Sequence, residues 1–117
     1  MKIFFKTTFA IISALIFSSC DPQTCGTAYI ENQSSGDIYL EVDSNRVDTL
    51  SAGQVKTIGP VCGLAQGQTP SAMVLYNSVK NDDTFCRKDI RWDSNWSTIQ
   101  VEKYKWEHRF TINDSDF

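Results

Sequence analysis

The feature that most restricts the fold of this chain is a period of two. Ile38, Leu40 and Val42 alternate with Tyr39, Glu41 and Asp43, and Trp106, His108, Phe110 and Ile112 alternate with Glu107, Arg109 and Thr111. Successive side chains of a strand point to opposite faces, so each set predicts a half-buried strand. Nothing after Thr24 keeps an apolar 3.6-residue period over three turns. The reading is therefore all-β. Strands are expected at residues 26–31, 38–42, 46–50, 54–58, 71–79, 85–92, 96–104 and 106–112, with Asn, Asp, Ser and Gly clusters turning the chain between most of them. The run at 71–79 lacks a polar face, which suits a central strand covered on both sides or packed at an interface. Residues 61–69 are too rich in Gly for a strand interior and are read as a loop crossing between sheets. Seven to eight short antiparallel strands at spacings of roughly 8 to 12 residues predict an immunoglobulin-like or related β-sandwich, with a small β-barrel as the alternative.

The chain opens differently. Lys2 and Lys6 precede an apolar run from Thr7 to Phe17, followed by Ser18, Ser19 and Cys20. Eleven helical residues span about 16 Å, roughly half of a bilayer core, so the run is too short for a transmembrane helix. Its apolar residues surround the helix axis instead of forming one stripe. Residues 1–19 read as a secretory signal peptide. Removing them takes away two lysines and no acid, moving the net charge from −3 to −5. That sign argues against binding nucleic acid, or coating an anionic membrane, by charge.

A standard signal peptidase site wants small residues one and three positions before the cut, and Phe17 is large. The sequence Phe17-Ser18-Ser19-Cys20 resembles the lipobox of bacterial lipoproteins, with Phe17 in place of the usual Leu, as in the looser forms of Bacteroidota. The resemblance implies that Cys20 becomes the first residue of the mature protein, carrying diacylglycerol and an N-acyl chain such as palmitate. Two or more chains anchor a protein stably without spanning the membrane. Residues 20–25 would then be a lipidated N-terminus and short tether, and residues 26–117 a single domain outside the cytoplasm. Asp21 is similar to an inner-membrane retention signal of enterobacteria. Sorting in Bacteroidota follows other sequences, which leaves open the membrane and the choice between periplasm and cell surface.

With Cys20 lipidated, Cys25, Cys62 and Cys86 remain for an oxidising compartment. Their spacing fits neither a redox C-x-x-C pair nor a zinc cluster. If successive strands run antiparallel, Cys25 and Cys62 lie at one end of the domain and Cys86 at the other, so Cys25–Cys62 is the expected disulfide.

Candidate sites are few. Ile99 and Val101 take the inward parity of their strand, which turns Trp96 outward beside Asp93 and Asn95. Trp96 thus joins Asp82 and Asp83 as the candidate binding surface, whereas Trp92 and Trp106 are expected in the core. His108 is the only histidine and reads as a hydrogen-bonded core or edge residue. Asp82, Asp83 and Asp89, or Asp43, Asn45 and Asp48, could offer oxygens to a cation, but neither set has a calcium-loop spacing. Solvated turns are the reading for both, and neither metal nor cofactor is expected. Asp48-Thr49-Leu50 resembles the O-glycosylation site of Bacteroidota secreted proteins. The sequons at Asn32, Asn95 and Asn113 carry little meaning without the matching transferase. No constellation of catalytic residues is recognisable. The expected role is a non-enzymatic binding or structural module of the cell envelope, whose partners are the lipid bilayer through Cys20 and an envelope protein or secreted enzyme. The alternative is an inhibitor or immunity protein that covers the active site of a toxic or lytic enzyme.

Overall fold

The computed structural model describes residues 23–117 apart from Ser44 and residues 64–68. The signal segment, Cys20 and the start of the tether lie outside the described residues, as does the middle of the expected crossing loop.

Seven strands form two sheets. β1 (Cys25–Asn32), β4 (Val55–Cys62), β6 (Ser97–Glu102) and β7 (Lys105–Ile112) make the first, in the order β4-β1-β7-β6. β2 (Ile38–Asp43), β3 (Arg46–Leu50) and β5 (Ser78–Lys80) make the second, in the order β3-β2-β5. The sheets do not close into a barrel. Ala28, Ile30, Phe110 and Ile112 from the first meet Ile38, Leu40, Leu50 and Val79 from the second in one core. The alternating sets thus fold as their parity predicts, with Ile38, Leu40, Phe110 and Ile112 buried and Val42 half-buried against them. His108 is buried too, its Nδ1 hydrogen-bonded to Thr98 Oγ1 at 2.9 Å.

The pairing is not antiparallel throughout. β1 and β7 run parallel from Cys25↔Lys105 to Asn32↔Ile112, because the rest of the domain serves as the crossover between them. β4 also runs further than expected, through Gly59 and Pro60, which together stand opposite Thr27 as a bulge. Pro is tolerated there because β4 is an edge strand. At Gly59, φ is +100°, and a Cβ would lie 2.9 Å from the Val61 nitrogen, so a side chain is excluded.

Three expected strands are corrected. Residues 71–79 do not form a covered central strand. Pro70, which lacks an N–H and has a helix-compatible φ, opens the one-turn helix α1 (Pro70–Met73), and only the short edge strand β5 follows. Met73, Val74 and Tyr76 are buried while Leu75 is 76% exposed, and the Tyr76 hydroxyl donates to Asp48 at 2.6 Å. Residues 85–92 contribute one bridge, Lys80↔Phe85. Asp89 then bends the chain by accepting the Arg91 backbone N–H and guanidinium, a side-chain alternative to a ladder. Trp92 is consequently 63% exposed instead of core, and Trp106 is half-buried.

The third correction inverts a parity. Trp96 is buried, packed 5.2 Å from Phe110, and its indole N–H donates to the Ile90 carbonyl at 2.9 Å. In β6, Thr98 stands opposite inward-facing His108 and Ile99 opposite outward-facing Glu107. All six β6 residues are exposed. Four strands over three leave an edge strand without a facing layer, so alternation there has no inside to report.

Candidate functional site

The outer face of the three-stranded sheet carries an open, roomy hollow. Opposed residues share a face, so Tyr39 lies between Thr49 and Lys80, and Glu41 between Val47 and Ser78. The bridge from Lys80 extends the first row to Phe85. Glu41 accepts from Lys80 at 2.7 Å and from the Ser78 hydroxyl at 2.9 Å, and these two bonds hold its carboxyl below the ordinary value. An exposed pair of this kind stabilises little, but it fixes the lysine stem along the groove wall.

Residues 81–84 close the groove. The Asn81 side-chain oxygen accepts the Asp83 and Thr84 N–H groups at 2.9 and 2.8 Å, and the Asn81 N–H reaches the Thr84 carbonyl at 3.0 Å. The loop is thereby fixed by its own first residue. Asp82 takes the Tyr39 hydroxyl at 2.7 Å, which raises the phenol's pKa because the phenolate would face a carboxylate. The result is an open groove of about 540 Å³ between Val47, Tyr39 and Lys80 on one side and Asp82, Asp83 and Phe85 on the other. Phe85 is 60% exposed and Val47 45% exposed, so its walls offer apolar surface beside carboxylates.

A smaller hollow of about 180 Å³ adjoins it, sharing Asn81, Asp82 and Asp83 and adding residues 34–37, Asp114 and Phe117. Asp114 accepts the backbone and hydroxyl of Ser35 at 2.8 and 2.9 Å. Asp37, Asp82, Asp83 and Asp114 make this end of the domain acidic, and Lys80 beside them is engaged by Glu41. Such a surface can hold cationic and hydrogen-donating groups beside apolar walls.

Strand direction fixes where this end lies. β1 and β7 both start at the opposite end, where Cys25 and Cys62 face each other in register and are joined by a disulfide. The groove and its acidic rim follow the far ends of β1, β5 and β7.

Of the candidate binding residues, Asp82 and Asp83 meet in the groove and Trp96 does not, being buried against Phe110. Cys86 is free and half-buried, and burial raises its thiol pKa. Asp43 is a turn residue, accepting the Asn45 and Arg46 N–H groups. Asn32 is 1% exposed, and Asn95 and Asn113 have structural partners. Among the described residues no group of three or more His, Cys, Asp or Glu is placed to hold a metal ion. Tyr39, Lys80 and Phe85 were not singled out from sequence. An outward Tyr in the clearest strand was the available signal. No family model, curated protein or solved structure matches the chain.

Proposed function

We propose that this protein is a membrane-tethered, non-enzymatic binding module of the cell envelope, held by acylated Cys20 and presenting an immunoglobulin-related sandwich whose recognition surface is the Tyr39–Phe85 groove. The observation that carries the reading is polarity. The chain enters the domain at Cys25, five residues after Cys20, and the groove lies at the opposite end. A domain tethered in this way turns its acidic, aromatic end towards other molecules and its disulfide end towards the bilayer. The rim of Asp37, Asp82, Asp83 and Asp114 favours a basic partner surface. That charge also supports a second reading, in which the groove covers the basic cleft of a toxic or lytic enzyme as an inhibitor or immunity protein.

The test places a photo-crosslinking amino acid at Tyr39, at Phe85 and, as a control, at exposed Val55 in cells making the full chain. Crosslinks to one discrete product are expected from Tyr39 and Phe85, to be lost with Asp82→Lys/Asp83→Lys. Equal crosslinking from Val55 would refute the groove. Labelling with an alkyne fatty acid, expected in the wild type and absent in Cys20→Ala, checks the anchor separately.

A further inference from the structure

We infer that the hairpin joining β6 to β7 is a membrane-resting surface, with Val101 and Tyr104 seated in the lipid interface and Lys103 and Lys105 at headgroup level. The inference rests on the proposed anchorage at Cys20, but its own evidence lies elsewhere in the fold.

The first observation is where the chain enters. The Cys25 N–H donates to the Tyr104 carbonyl at 2.8 Å, and the Gly63 N–H donates to the Thr24 carbonyl at 3.1 Å. The entering segment is thus bonded to the hairpin on one side and to the chain after Cys62 on the other. At about 3.3 to 3.6 Å per residue, the five residues from Cys20 to Cys25 reach no more than roughly 18 Å. An anchored Cys20 therefore keeps the hairpin within a few residues' length of the bilayer surface.

The second observation is what the hairpin exposes. Ile99, Val101 and Tyr104 are 54%, 47% and 37% exposed. A hollow beside Val101 is lined by Pro60 and half-buried Trp106 together with Thr27, Lys105 and Glu107. Lys103 Nζ lies 5.4 Å from the Tyr104 ring and the exposed Lys105 pairs with Glu102 at 3.3 Å, so the hairpin carries two lysine charges at its surface beside an aromatic ring. Tyr and Trp beside apolar residues, with lysines able to snorkel, is the composition of a membrane–water interface. The net charge of the mature chain is negative, so its attraction is apolar and local and does not come from the domain's overall field.

The two ends of the domain then have two tasks. An anchored domain resting on Val101 and Tyr104 holds the acidic groove outward in one orientation, whereas a free tether would let it tumble.

The test uses the full lipidated chain in phosphatidylethanolamine–phosphatidylglycerol vesicles, in a Cys86→Ser background, with peptide mapping to show that Cys25–Cys62 stays closed. An environment-sensitive fluorophore is attached at Tyr104→Cys, Val101→Cys or Asp83→Cys, all exposed positions. The first two are expected to shift to the blue on vesicles and to be quenched by lipids spin-labelled near the headgroup. Asp83→Cys should do neither. Emission at 101 and 104 matching that at 83, in protein that floats with the vesicles, would overturn the inference while leaving the anchor intact. Failure to float would instead refute the anchor, and this inference with it.

Discussion

Asn32 offers the sharpest test of how the two sheets are joined. It ends β1, is 1% exposed, and donates from its amide to the Leu50 carbonyl at 2.8 Å and the Gly36 carbonyl at 2.9 Å. Its side-chain oxygen accepts the Ser34 N–H at 3.0 Å and the Ser34 hydroxyl at 2.5 Å. One amide thus ties the first sheet to the end of β3 and shapes the turn into β2. In Asn32→Ala, Gly36 keeps the Ser34 hydroxyl at 3.1 Å, but the Leu50 carbonyl and the Ser34 N–H lose their side-chain partner. Leaving a buried polar group unsatisfied costs about 1–3 kcal/mol, so two of them amount to roughly 2–6 kcal/mol. Asn32→Asp should cost as much, because a carboxylate would face two carbonyl oxygens. Small domains hold on the order of 5 kcal/mol, so either variant should lose a large part of the domain's stability. The neighbouring exposed Gln33→Ala should stay within about 0.5 kcal/mol. Urea melts followed by tryptophan fluorescence compare the three. An Asn32→Ala cost below about 1 kcal/mol would mean that water replaces the amide, and that the connection rests on apolar packing alone.

Other expectations are shorter. Trp96→Ala should cost about 3–5 kcal/mol by opening a cavity against Phe110 and freeing the Ile90 carbonyl, whereas Trp92→Ala should change a denaturant midpoint little. Cys25→Ser/Cys62→Ser should lower stability by about 4 kcal/mol through the regained freedom of a 37-residue separation, measurable in the same melts. Asp48 has its folded pKa lowered, first by the Tyr76 hydroxyl, so its contribution is present above the ordinary carboxylate pKa of about 4 and lost as pH falls through the folded value. Asp48→Asn should therefore flatten the acid limb of a stability–pH profile, and an unchanged limb would refute the coupling.

Legibility followed the presence of a facing layer. Ile38, Leu40, Phe110 and Ile112 pack against the opposite sheet, so their period of two carried real information about sides. β6 has no such layer, and the alternation of Ile99 and Val101 points to a core that does not extend over them. Between residues 70 and 92 the chain forms only a one-turn helix, a three-residue strand and one bridge, and its apolar residues serve local closures. Tyr76 bonding Asp48, and Asp89 bonding Arg91, are contacts no periodicity contains. The disulfide was legible because the four strands from Cys25 to Cys62 were, and every corrected strand lies after Cys62. Of the groove, Asp82 and Asp83 stood out as a turn, while Tyr39 and Phe85 gain meaning only from the register that sets Lys80 between them.

The parallel pairing of β1 with β7 also dictates an order of events during folding. The first sheet is centred on the domain's first and last strands, so its middle cannot form until residue 112 is present. Contacts of such long sequence separation are slow to close. A chain emerging amino-terminus first can form the β2–β3 hairpin early, but β1 has no central neighbour and β6 no partner until β7 follows. Until then the first sheet can hold only its β1–β4 pair, and the eight residues of β7 supply at once the second neighbour of β1 and the partner of β6.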